Sequence, residues 1–182
     1  MNFKVVLKTL ISRFNEAGVE FALSGGLALS TMGLFRLTKD IDFVALEDAM
    51  TAVDGIMAEL GYEKQDFSTE EIVSYFSPLK VYGQVDFLVA RRKYTRAMLK
   101  RAPEQPVFDD AFRVKTLLPE DLIGLKVQAL VNDQRNRYPV DVPDIQQLLR
   151  LHKDHMDMEL VREYFRIFEM EDLLDAWLAD LE

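Results

Sequence analysis

Ser24-Gly25-Gly26-Leu27-Ala28-Leu29-Ser30-Thr31-Met32-Gly33-Leu34-Phe35-Arg36-Leu37-Thr38-Lys39-Asp40-Ile41-Asp42-Phe43-Val44 is the stretch around which the rest of the chain is organised. An apolar run over residues 19–23 predicts a strand that leads into the glycine pair. A small helix starting near Leu27 comes next, and then an Arg-x-Thr-x-Asp-Ile-Asp-Phe-Val segment that reads as a second strand. Side chains two apart on a strand share a face, so Asp40 and Asp42 project together while Ile41 and Phe43 turn into a core. Two adjacent carboxylates repel each other, and withdrawing them from water is unfavourable unless a cation lies between them. Oxygen donors in that arrangement suit Mg²⁺, which proteins commonly hold through one or two carboxylates plus substrate phosphates.

Gly25 and Gly26 supply the complementary half. Without a Cβ the backbone reaches positive φ and lets a ligand come close to its N–H groups. The start of a helix just beyond would aim free amides at a phosphate. A phosphate cradle joined to a metal-binding carboxylate pair by one short helix is what a nucleoside triphosphate with its Mg²⁺ requires.

This pattern resembles the signature of the DNA polymerase β-like nucleotidyltransferase superfamily. In its fuller form, Gly25-Gly26-x-Ala28 with Gly33 and then Arg36-x-Thr38-x-Asp40-Ile41-Asp42-Phe43, it looks like the AbiEii and MNT-like minimal nucleotidyltransferases of bacterial toxin–antitoxin systems. The resemblance implies an α+β fold, a polymerase β-like mixed sheet with flanking helices followed by a C-terminal helical region. It also implies a third carboxylate on a neighbouring strand and a lysine further along. Asp86, between Val85 and Phe87 in the β-branched and aromatic run 81–89, fills the first role, against the plainer reading of an acid at a sheet edge. Lys126, on the apolar stripe of a later helix, fills the second, against a lysine that merely snorkels from the core edge.

The composition agrees with a soluble intracellular protein. The chain has 182 residues, 49% of them apolar, enough to bury a substantial interior. It contains no cysteine, which fits a reducing cytoplasm, and no apolar run of membrane-spanning length. The net charge is −9, but residues 154–182 carry −8 of it, so the acidity belongs to the tail. Six basic residues fall within 91–101, and two readings compete there: a guide for a polyanion such as tRNA, with Tyr94 available for stacking, or a solvated loop and short helix.

The remaining chain reads in order as an amphipathic helix over 3–17, a helix over 47–60, strands over 62–67 and 72–76, a break at Pro103 and Pro106, and an edge strand near 112–114. From Pro119 onward the pattern is helical, with a polar break over 132–139, then helices beginning near Asp141, at 156–168 and at 170–181. A helix N-cap accounts for Asp141 as well as catalysis does. The division expected is a catalytic core over 1–118 and a helical region over 119–182 packed on it. His152 and His155 are too few and too remote from Asp40 for a zinc site.

The resemblance implies Mg-dependent transfer of a nucleoside monophosphate from an NTP to a hydroxyl of RNA or of a protein partner. Asp40, Asp42 and Asp86 would hold two Mg²⁺, and Ser24, Gly25 and Gly26 would contact phosphate oxygens. Arg36 and Lys126 would offset charge on the departing pyrophosphate, and Thr38 would brace the start of the strand. A cognate toxin or antitoxin is the expected partner. A non-catalytic nucleotide- or partner-binding module and an aminoglycoside-type nucleotidyltransferase use the same residues and stay open at this point.

Overall fold

A computed structural model describes residues 1–79 and 81–181. By its internal contacts the chain divides into two units, Met1–Leu117 and Leu118–Glu182. The first unit is α+β and the second is helical, so the expected fold class holds.

The first unit opens with α1 (Phe3–Glu16), capped by Asn2, whose side chain accepts from the Val5 N–H. Then follow β1 (Phe21–Ser24), α2 (Gly25–Thr31), β2 (Asp40–Leu46), a single 3₁₀ turn, α3 (Met50–Glu59), β3 (Glu63–Lys64), β4 (Ile72–Phe76), β5 (Gln84–Ala90) and α4 (Lys93–Arg101). A hairpin of β6 (Glu104–Val107) and β7 (Phe112–Lys115) completes it. The five main strands lie in the order β1-β2-β5-β4-β3. β2 and β5 run parallel at the centre, and the other pairings are antiparallel. One face of this sheet is closed by an aromatic cluster. Phe14 of α1 meets Phe21, Phe43 and Phe87 edge-on at 5.2 to 5.8 Å, and Tyr75 meets Phe87 at 5.7 Å. Odd-numbered residues of β2, β4 and β5 therefore serve the core, and the even-numbered ones face the other way.

Two sequence expectations shift here. The strand expected over 62–67 shrinks to Glu63–Lys64, because the polar residues beyond it turn back: Ser68 N–H bonds to Gln65 O, and the Ser68 hydroxyl bonds to Ser74 of β4. Pro106 does not break the chain but sits within β6, opposite Arg113, on a two-stranded sheet whose outer edge needs no amide donor.

The second unit comprises α5 (Pro119–Asn132), α6 (Gln134–His152), α7 (Met158–Ile167) and α8 (Glu171–Ala179). Gly124 lets α5 and α7 meet closely, since a Cβ there would lie 2.6 Å from the Tyr164 ring. The polar break expected over 132–139 narrows to Asp133, whose side chain caps α6. α6 then runs on through Pro139 and Pro143, each lacking an amide donor. Buried Val142, Ile145, Leu148 and Leu149 supply enough packing to keep it helical. Among the described residues no helix is long and apolar enough to cross a membrane.

Candidate active site

The site grows out of the alternation along β2. Ile41 and Phe43 are fully buried in the aromatic core, so Asp40 and Asp42 stand half-buried on the opposite face. Parallel pairing sets Asp42 directly beside Asp86 of β5, while antiparallel pairing sets Ser24, the last residue of β1, on the other side of Asp42. One carboxylate oxygen from each of Asp40, Asp42 and Asp86 lies within 4.8 Å of the others. At an effective dielectric near 20, two unit charges that close repel by about 3 kcal/mol. Three hard oxygen donors converging on adjacent strands have the chemistry of a divalent-cation site, and the group fits Mg²⁺ on that ground.

The glycine pair shapes the space next to the acids. Gly25 has φ +57°, and a Cβ there would overlap the Asp42 carboxylate. At Gly26 a Cβ would come within 2.7 Å of Thr38. The turn is thus pressed against the acids, and any side chain at Gly25 would displace Asp42. Ser24 is buried, and α2 is only seven residues long.

Two neutral donors hold two of the three acids, Asp40 and Asp86, in place. Thr38 Oγ1 donates to Asp40 Oδ1 at 2.7 Å, and Gln84 Nε2 lies 3.0 Å from both Asp86 oxygens. Each donor precedes its acid by two residues: Gln84 lies within β5 on the same side as Asp86, and Thr38 lies just ahead of β2. Thr38 matches the bracing role read from the sequence. Gln84 was missed, though period-two spacing in a strand was signal enough to find it.

The expected cations are placed as follows. Arg36 is exposed on the segment between α2 and β2, next to exposed Phe35 and Leu37. Lys126 belongs to the helical unit, where it is buried with its Nζ 2.7 Å from both Asp141 Oδ1 and Asp144 Oδ2. Arg137 Nε comes to 2.8 Å from the second Asp141 oxygen without the alignment of a hydrogen bond. Asp141 is therefore no N-cap: it lies in the middle of α6, and Asp133 does the capping. In the basic run, Arg91 pairs with Glu47 and Glu70 and Arg92 with Glu71, so part of that charge is neutralised locally. Burial, then the bond its hydroxyl donates to Asp54, raises the Tyr75 phenol above its ordinary range, so it stays protonated on the core side of β4.

A family model described as "Nucleotidyl transferase AbiEii toxin, Type IV TA system" matches residues 9–176. No curated protein matches the sequence significantly. Solved structures share the fold. The solution structure of the antibiotic-resistance factor ANT(2'')-Ia superposes with TM-score 0.70 at 11% identity over 100% of both chains. An antigenic nucleotidyltransferase-like protein from Paracoccidioides brasiliensis does so with TM-score 0.60 at 19% identity, over 98% of this chain and 93% of that one. The lincosamide antibiotic adenylyltransferase LnuA, lincomycin-bound, matches with TM-score 0.55 at 14% identity, over 80% and 96%. These likenesses show a nucleotidyltransferase fold of the polymerase β-like kind.

Proposed function

The chain belongs to the AbiEii family of nucleotidyl transferase toxins and is a nucleotidyltransferase; from that premise we propose that it moves a nucleoside monophosphate from an NTP to a hydroxyl of RNA or of a protein partner. The observation that carries this reading is the convergence of Asp40, Asp42 and Asp86 against a glycine turn that has no room for a Cβ. The acceptor hydroxyl releases its proton to solvent as its oxygen forms a bond to the α-phosphorus, the bond from that phosphorus to the β-phosphate oxygen breaks, and pyrophosphate leaves. Asp40, Asp42 and Asp86 are the residues that would hold two Mg²⁺, which when bound neutralise the triphosphate and favour the attacking alkoxide. Ser24, Gly25 and Gly26 offer the phosphates a close approach to backbone, and Thr38 and Gln84 act as positioning residues by fixing Asp40 and Asp86.

Arg36 is the cation we assign to the pyrophosphate. Lys126 would join it only by leaving two buried carboxylates, so its first role in this reading is to hold α5 to α6. We further propose a catalytic core over residues 1–118 with the helical region 119–182 packed on it, a cytoplasmic setting and a cognate antitoxin as partner. The test is incubation with α-labelled NTPs and Mg²⁺ plus tRNA or total lysate. Label should pass to RNA or protein with the wild type and not with Asp42→Ala. Equal labelling by both, or none by either with any NTP, would remove the proposal.

A small-molecule acceptor is the second reading. It is favoured by the fold shared with ANT(2'')-Ia, which has been solved in complex with adenylyl-2''-tobramycin, and with lincomycin-bound LnuA. Label appearing on tobramycin or lincomycin in the same assay would select it.

A further inference from the structure

We propose that Phe76 is the acceptor platform of this site and stacks the terminal, unpaired base of an RNA acceptor. The inference deepens the nucleotidyl-transfer reading and rests on it. Its basis is the order of the strands. The glycine turn follows β1, the acids stand on β2 and β5, and β4 lies beyond β5. In-line displacement places the attacking oxygen opposite the departing pyrophosphate. If the phosphates lie over the glycine turn, the acceptor arrives over β5 and β4.

Sheet register fixes what it meets there. Phe76 stands directly opposite Gln84, and Ser74 opposite Asp86, on the face that the acids share; Tyr75 between them points into the aromatic core. Directly opposed residues of an antiparallel pair bring their Cβ atoms to about 5 Å. Phe76 is therefore one neighbour removed from the amide that holds Asp86. It is 46% exposed at the end of β4, and Leu79 and Val81 in the turn that follows are exposed as well. An exposed ring beside a reaction centre offers a flat apolar surface to a flat partner.

Charge selects among the acceptors. A polycationic aminoglycoside would call for several acids on the acceptor side, and Phe76 is flanked by one, Glu63 of β3, with Gln84 of β5 on its other side. α4 starts just after β5, and Lys93, Arg96 and Lys100 are exposed along it at i, i+3 and i+7, with no ion pair among the described residues. That spacing puts three cations on one face of a helix that packs against β2 and β5 and begins beyond Ala90, the end of β5 remote from Gln84 and Phe76, so they suit phosphates several nucleotides back from the terminal base. A ring for a base and a cationic stripe for phosphates are the two parts that single-stranded RNA recognition combines.

The test is a binding cycle that needs no turnover. Two fluorescein-labelled single-stranded RNA oligonucleotides, one ending in adenosine and one in an abasic ribose, are titrated with wild type, Phe76→Leu and Phe76→Tyr, and Kd is read by anisotropy. Phe76→Leu should weaken the adenosine-ended RNA by about 5- to 100-fold, leave the abasic RNA unchanged, and be rescued by Phe76→Tyr. The same ratio should appear in the acceptor KM with kcat little changed. Equal affinity of wild type and Phe76→Leu for the adenosine-ended RNA, equal weakening of both RNAs, or no RNA binding by the wild type would overturn the proposal. Failure of nucleotidyl transfer itself would show separately, as absence of label on any acceptor while the binding cycle still decides the role of Phe76.

Discussion

Both units of this chain gather carboxylates, and they treat them in opposite ways. In the helical unit Asp141 and Asp144 converge on Lys126, which bonds to both at 2.7 Å, and all three are buried. In the sheet unit Asp40, Asp42 and Asp86 converge within 4.8 Å on a half-open face, and the donors to Asp40 and Asp86 are a hydroxyl and an amide. A cluster that carries its own buried cation is complete as it stands. Three acids crowded on a half-open face, two of them steadied by neutral donors, gain free energy when a divalent cation arrives. The difference separates a structural network from a binding site more clearly than counting acids does.

The sharpest way to break the comparison is to remove one charge from each cluster. Asp42→Ala should cut label transfer by on the order of 10³-fold or more, the several kcal/mol a metal contributes to such a transition state, while leaving thermal stability equal or slightly higher. Lys126→Met should do the reverse. Stranding two buried carboxylates costs about 3–5 kcal/mol, which urea unfolding would register, and adding Asp141→Asn with Asp144→Asn should restore much of it. If Lys126→Met instead unfolded at the same urea concentration as wild type and lost only activity, the lysine would be a catalytic cation and the comparison would fail.

Smaller changes sharpen it. Gly25→Ala drives a methyl group into the Asp42 carboxylate and strains a backbone at φ +57°. Displacing a reacting group by about 1 Å lowers activity by about 10²-fold, and single-turnover rates would read it. Thr38→Val and Gln84→Leu remove one positioning donor each. Each should weaken apparent Mg²⁺ affinity in the transfer assay by about 10-fold, within the range found when the partners of metal ligands are deleted.

The acid-bearing face was legible in the sequence because its signals are local. Period-two spacing placed Asp40 and Asp42 on one side of a strand, and the apolar flanks of Asp86 placed it likewise. The register that sets Asp42 beside Asp86 was not legible, because it joins strands separated by a helix and two further strands. Gln84 was hidden for the same reason, since it matters only once Asp86 has a place. The partners of Lys126 lie 15 and 18 residues away on another helix, and helix-to-helix register leaves no local trace. Prolines misled twice. Local propensity argued for breaks at Pro106 and Pro139, but an edge position absorbed the first and a buried helix face overrode the second.

Mn²⁺ binding in the presence of NTP, followed by electron paramagnetic resonance with wild type and Asp42→Ala, tests most directly whether the three acids form a divalent-cation site. The account predicts saturable binding by the wild type and affinity lower by at least about 10-fold in the variant, with folding unchanged. Equal Mn²⁺ affinity in the two proteins would contradict it.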